Sequence, residues 1–243
     1  ERNKVFVINN HHSYDHDFID FQEEQIDVSI DNPVTTSRSH FSDIAIYLFT
    51  SGTTGLPKAA LQSNKRVINP FGWVTLELSY KDVVYCPLPL YHSLALVTGW
   101  AGSIQGGAAF AFRKRFSASE YWKDIKKFRA TCAIYMGELP RYLINRPESE
   151  YIENSTLEKM VGVGLRKDIW LEFKSRFHIE HIIEFYGATE GAAGLINLEE
   201  IPGMIGRRGL LGTIVVAKVN EETGKFYRDE SGFLIECNSG ETG

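Results

Sequence analysis

The run Thr50-Ser51-Gly52-Thr53-Thr54-Gly55-Leu56-Pro57-Lys58 packs four hydroxyls, two glycines and a lysine into nine residues. Those residue types suit a polyphosphate. Gly52 and Gly55 let the backbone turn tightly and bring its N–H groups close to phosphate oxygens. Thr50, Ser51, Thr53 and Thr54 add hydroxyl donors, and Lys58 adds a cation to offset the ligand's charge. Pro57 stiffens the exit of the loop. A Walker A loop would require glycine at 57 and Ser or Thr at 59, where the chain has Pro57 and Ala59.

Two further groups fall at the ends of predicted strands, where open α/β sheets build ligand crevices. In Tyr186-Gly187-Ala188-Thr189-Glu190 the small residues allow a flat ring to pack against the backbone, with Tyr186 as stacking partner. Thr189 offers a hydroxyl to a phosphate oxygen. Glu190 offers one carboxylate, which suffices for magnesium when substrate phosphates supply other ligands. The same five residues also fit a plain strand-to-helix turn. Gly162-Val163-Gly164 lets a flat ligand approach a strand end, and equally fits an ordinary glycine-rich loop. His92 closes the stiff corner Pro87-Leu88-Pro89-Leu90-Tyr91, where an imidazole could meet a reacting carboxylate or serve the structure alone.

These residues need elements to carry them. The β-prone run from Ile44 to Phe49 feeds the hydroxyl loop. Strands are predicted at Lys4 to Ile8, Asp82 to Cys86, Thr131 to Met136, Met160 to Val163 and His181 to Phe185. One helix presents Tyr121, Trp122, Ile125 and Phe128 on a single face, with Ser117 to Ser119 as its cap. A second spans Glu138 to Asn145 and is interrupted early by Pro140. A third, Arg166 to Phe177, turns Ile169, Trp170, Phe173 and Phe177 inward. The uncharged stretch Ser93 to Phe112 holds too many glycines for a membrane span and reads as a buried helix followed by a buried strand. Alternating strands and helices imply an α/β fold with a mostly parallel, doubly covered sheet. From Thr213 the pattern becomes strand–turn–strand, with Glu222-Thr223-Gly224 as a hairpin loop between Val215–Val219 and Phe226. The resulting division is a variable segment at 1–40, a surface connection from residue 9 on; an α/β region at 41–212; and the start of a β-rich portion at 213–243.

The chain has 243 residues, 43% of them hydrophobic, and a net charge of −5. That composition is of the ordinary globular kind and carries no electrostatic footprint for nucleic acid. An anionic nucleotide must therefore be held by local donors. Cys86, Cys132 and Cys237 lie far apart in sequence and suggest a reducing compartment. His11, His12 and His16 lack a carboxylate or histidine spacing that would make them a metal site.

In this order, the phosphate loop, Pro89-Leu90-Tyr91-His92, the Gly-x-Gly-Leu-Arg turn and the Tyr-Gly-Ala-Thr-Glu turn resemble the acyl-adenylate-forming ligases. Residues 47–60, Lys114-Arg115-Phe116-Ser117-Ala118-Ser119, residues 135–143, Gly164-Leu165-Arg166 with Ile169-Trp170, and residues 184–191 look like the very-long-chain acyl-CoA synthetase and fatty-acid-transport-protein branch. The likeness runs through most of 41–215. It implies the large domain of such a ligase, joining a fatty acid to ATP as acyl-AMP and then to coenzyme A. Thr50 to Lys58 would grip the β- and γ-phosphates, while Tyr186, Gly187 and Ala188 with Gly162 to Gly164 would hold adenine. Thr189 would touch the α-phosphate, Glu190 would bind Mg2+, and His92 would stand near the fatty-acid carboxylate. Lys58, Thr189 and His92 form the implied catalytic set. Departures are Asn64, where the branch often has His, and Ala192, where it usually has Asn; Asn197 matches.

By the same resemblance, the family's ribose-binding aspartate and catalytic lysine lie beyond Gly243, so residues 1–243 alone are expected to make no thioester. The implied location is the cytoplasm or the cytoplasmic face of a membrane, with peripheral membrane association open for the full-length protein. Two alternatives remain: a ligase for a bile, carnitine-like or aryl acid, and a fatty-acid uptake or binding protein with a regulatory nucleotide site.

Overall fold

Strand β7 (Cys132–Met136) is a continuous apolar run, and its first four residues are buried, as a strand covered on both faces requires. The computed structural model describes residues 5–7, 18–20, 29–50, 55–151, 155–191, 194–207 and 214–241. Ser51, Gly52, Thr53, Thr54 and Ala192, with His11, His12 and His16, lie outside the described residues. The chain divides into two units, 1–40 and 41–243.

In the first unit β1 (Val5–Val7) pairs in parallel with β2 (Phe18–Asp20). A surface connection was expected over β2. A single 3-10 turn follows at Thr36–Arg38.

The second unit holds a six-stranded sheet and a separate antiparallel hairpin. The hairpin joins β3 (Ile44–Thr50) to β4 (Lys58–Ser63), with Thr50 directly opposite Lys58. The hydroxyl loop therefore links two strands and does not open a helix. Short helices α1 (Asn64–Val67) and α2 (Phe71–Leu76) follow. The sheet contains β5 (Val83–Cys86), β6 (Ala109–Phe112), β7, β8 (Lys159–Val163), β9 (His181–Gly187) and β10 (Gly194–Asn197), in spatial order β10-β9-β8-β7-β5-β6. All neighbours are parallel except β10, which runs antiparallel to β9.

The direction of strand addition reverses at β5. Its connection to β6 is a π-helix (Leu94–Ala101) continued by α3 (Gly102–Gly106). The later crossovers use α4 (Tyr121–Phe128), α5 (Leu139–Ile144) and α6 (Lys167–Arg176). Right-handed crossovers in opposite directions put the π-helix and α3 on one face and α4 to α6 on the other. The carboxyl ends of β5 and β7 flank the switch point, the position at which such sheets bind ligands.

Three details depart from the sequence expectations. The cap of α4 is Glu120, which makes no side-chain cap bond; the Ser117 and Ser119 hydroxyls face each other at 3.3 Å instead. Pro140 does not interrupt α5. It sits in the first turn, where its missing N–H costs no helical bond. Strand β6 is an edge strand and only half-buried, with Phe112 exposed. Beyond residue 213 the hairpin appears as isolated antiparallel bridges, Val219 to Phe226, Ala217 to Glu236 and Arg228 to Leu234. The Asn220 side chain receives the Glu222 and Thr223 amides and fixes the turn.

Helices α4 and α6 meet through aromatic rings. Trp122 lies 4.5 Å from Phe177 and 5.0 Å from Tyr151 between ring centroids, and Phe173 lies 4.9 Å from Phe177. Trp122→Ala removes the centre of this cluster and is expected to cost about 3–5 kcal/mol, read as a lower urea midpoint. A loss below about 1 kcal/mol would show that the cluster collapses around the gap.

Candidate active site

The turns that follow β5, β8 and β9 converge at the carboxyl edge of the sheet, and the β3–β4 hairpin meets them there. After β9 the chain turns through Ala188, Thr189 and Glu190, closed by the Gly191 amide donating to the Ala188 carbonyl at 2.8 Å. The Thr50 hydroxyl stands 3.2 Å from Glu190 Oε1 and 3.4 Å from the Lys58 carbonyl. The end of the phosphate hairpin is thus in direct contact with the Tyr186–Glu190 turn. Lys58 and Glu190 side chains are exposed.

A cavity of about 610 Å³ runs beside this contact, walled by His92, Leu94, Val97, Met136, Phe185 and Gly187 among others, with Thr189 at its rim. The Ser93 and Thr189 hydroxyls are 3.2 Å apart. His92 is half-buried, and its Nδ1 accepts the Leu94 amide at 3.2 Å. Burial holds its imidazole below the ordinary value, so the neutral ring is the form present near pH 7. With Nδ1 accepting, the ring proton resides on Nε2.

A second cavity, about 830 Å³, lies between the turns after β8 and β9 and is lined by Val163, Gly164, Leu165, Glu184, Tyr186 and Ile205 among others. Tyr186 is half-exposed on this wall, which leaves its ring accessible for stacking. Glu184 organises the floor. It is 6% exposed and accepts from Tyr135 Oη at 2.9 Å, the Leu165 amide at 2.6 Å and the Gly164 amide at 3.1 Å. Burial pushes its carboxyl above the usual range, and the three donors partly oppose that. Gly162 has a packing reason as well: a Cβ there would lie 2.1 Å from the Tyr135 carbonyl oxygen.

The structure therefore brings His92, Val163, Gly164, Tyr186, Gly187, Ala188 and Thr189 together on the walls of two adjoining cavities, while Thr50, Glu190 and the Lys58 backbone meet beside them. Gly162 stands one residue back in β8, and a Cβ on Gly55 would meet nothing within 4 Å among the described residues. Glu190 and Thr50 offer hard oxygen donors 3.2 Å apart, a donor set that fits magnesium completed by substrate phosphates and water.

Sequence reasoning missed Gln62, Arg66 and Ser93. The Gln62 amide donates to the Thr189 carbonyl at 2.8 Å, and Arg66 donates to the Ala188 and Glu190 carbonyls at 3.0 and 2.6 Å. One signal was available. Gln62 falls on the inward register of β4 with buried Ala60, a polar residue where an apolar one is expected. Nothing in the spacing pointed to Arg66 or Ser93.

A family model described as "AMP-binding enzyme" matches residues 2–235. Long-chain fatty acid transport protein 2 of Rattus norvegicus is 41% identical over 84% of this chain and 34% of its own length. The medium/long-chain-fatty-acid–CoA ligase FadD6 of Mycobacterium tuberculosis is 37% identical over 87% of this chain and 36% of its own. Among solved structures, an acyl-CoA synthetase of Brucella canis superimposes with a TM-score of 0.70 at 18% identity, over 97% of this chain and 42% of that one. The chain spans about a third of the length of the curated relatives it matches. Among the described residues, no helix is long and apolar enough to cross a membrane.

The His92 ring is expected to titrate below 6.5. A folded-state value depressed in this way contributes stability that is present above 6.5 and lost as pH falls through the depressed value. An NMR titration assigned with His92→Gln reads it directly, and a midpoint at or above 6.5 would mean the ring is solvated.

Proposed function

The chain belongs to the AMP-binding enzyme family, and from that we propose that the protein carrying it activates long- or very-long-chain fatty acids with ATP. The reaction we propose joins the fatty-acid carboxylate to the α-phosphate, releasing pyrophosphate, and then transfers the acyl group to the thiol of coenzyme A with release of AMP. The observation that carries this reading is the contact of Thr50, at the mouth of the Lys58 hairpin, with Glu190 beside the His92 cavity. The transport-protein and ligase relatives support the acid class.

Each residue then has a task that its surroundings permit. Lys58, the first residue of β4, offsets charge gathering on the departing pyrophosphate. Thr189, its hydroxyl held by Ser93, is set to donate to an α-phosphate oxygen. The neutral His92 imidazole carries its proton on Nε2 and is suited to orient the fatty-acid carboxylate by donating to it. Glu190 and Thr50 would hold magnesium, which when bound neutralises phosphate charge. The apolar wall formed by Leu94, Val97, Met136 and Phe185 would take the acyl chain, at about 0.8 kcal/mol for each methylene buried. Tyr186 and the Gly162–Gly164 turn would receive adenine in the neighbouring cavity.

Pyrophosphate release across a panel of acids tests the assignment. Turnover should rise with acyl length and be negligible for bile or aryl acids; binding of fatty acid without turnover would instead favour an uptake protein. Lys58→Ala is expected to lower the rate about 10- to 100-fold, the equivalent of a charge-assisted bond of about 1.5–3 kcal/mol, with little change in melting temperature. Glu190→Gln should raise the magnesium needed for half-maximal rate while leaving fatty-acid binding intact. Superimposable magnesium curves would remove Glu190 from the metal site.

A further inference from the structure

We propose that Arg66 and Gln62 act as positioning residues that set the Thr189–Glu190 turn in place, a reading that rests on the adenylation chemistry above. Three successive carbonyls are involved. Arg66 Nη2 donates to Ala188, Gln62 Nε2 to Thr189 and Arg66 Nη1 to Glu190. The side chains of two of those same residues face the reacting region: Thr189 through the Ser93 hydroxyl and Glu190 through Thr50. Gln62 and Arg66 are also among the residues lining the cavity of about 610 Å³, and their bonds decide where the Thr189 hydroxyl and the Glu190 carboxylate stand.

Two observations separate this from ordinary loop packing. Gln62 is 0% exposed, and its buried Oε1 has no hydrogen-bond partner among the described residues. An orphaned acceptor in that setting is destabilising, and leucine would fill the same space without it. The amide is therefore costly to the fold, and what it supplies is the bond to Thr189. The Arg66 guanidinium, in turn, is seated directly against the turn. A Cβ on Gly191, itself at φ +76°, would lie 2.2–2.3 Å from the guanidinium atoms. The fork of arginine aims two separate nitrogens at carbonyls two residues apart, where an ammonium would have to reach both from one atom.

The clamp also has a direction. Gln62 lies in β4, the strand that Lys58 begins, and Arg66 in α1, which follows it directly. Displacement of the phosphate hairpin is thereby passed to Thr189 and Glu190 through three hydrogen bonds. Phosphate-side and magnesium-side groups move as one body.

The test uses Gln62→Leu, Arg66→Ala and Arg66→Lys in the protein carrying this chain, with pyrophosphate release, magnesium titration, melting temperature and amide exchange at Gly191 as readouts. Gln62→Leu should melt at or above the parent temperature yet lose rate by roughly 10- to 100-fold, the scale of a group misplaced by about 1 Å. Arg66→Ala should shift the magnesium curve to higher concentration, speed exchange at Gly191, and regain rate on addition of guanidinium ion at non-denaturing concentration. Arg66→Lys should recover only part of the parent rate. Folded variants with parental rate, magnesium curve and Gly191 exchange would overturn the proposal, as would rate losses that merely track the unfolded fraction. If the parent protein releases no pyrophosphate with any acid, the adenylation reading fails by itself. Exchange at Gly191 still decides the clamp in that case, and exchange unaltered by Arg66→Ala sinks it.

Discussion

The backbone turn after β9 is closed by a single internal bond, from the Gly191 amide to the Ala188 carbonyl, and donors from elsewhere in the chain also reach the carbonyls of Ala188, Thr189 and Glu190. Those donors are Gln62 and Arg66, more than 120 residues earlier in the chain. This set of bonds fastens the β3–β4 hairpin to the sheet edge. Remove it, and the hydroxyl of Thr50 and the carboxylate of Glu190 have no reason to remain neighbours. The two bonds from the Arg66 guanidinium are charge-assisted, a class worth about 1.5–3 kcal/mol each, a sizeable share of the margin by which a domain is folded.

Glu184 performs the matching service on the other side of the site. Its carboxylate gathers donors from β7, through Tyr135, and from the turn after β8, through Gly164 and Leu165. Burying a carboxylate is unfavourable unless its lone pairs are met, and three donors meet them here. The outcome is a fixed spacing between the turns that flank Tyr186. The two cavities are thus framed by buried polar groups whose partners come from different strands, set on a core of aromatic and aliphatic contacts that defines the sheet.

Where local reasoning went astray, tertiary competition explains it. Ser117 and Ser119 have the chemistry of caps, but they bond each other, and α4 begins at Tyr121 after Glu120, whose side chain makes no cap bond. Strand β6 has the apolar content of a central strand and sits at the edge because the crossover direction reverses at β5. Apolar content reports burial summed over both faces. It does not report which neighbour a strand acquires.

Although β2, β4, β10, α1 and α2 were not legible in it, the sequence by itself determined most of the parallel strands and the helices between them, the alternation that makes a parallel α/β sheet, and the residue types able to bind phosphate and a flat ring. These are local properties: the run of hydroxyls and glycines before Lys58, the inward spacing of Trp170, Phe173 and Phe177, and small residues at strand ends are all written within a few positions. Only the tertiary structure decided which strand ends share an edge, that the phosphate loop is a hairpin loop, and that Gln62, Arg66 and Glu184 hold the site in shape. The reason is one of range. A side chain's chemistry is legible where it stands, but its partner across 19 residues, for Glu184 and Leu165, or 124, for Arg66 and Glu190, is chosen by the fold that brings the two within bonding distance.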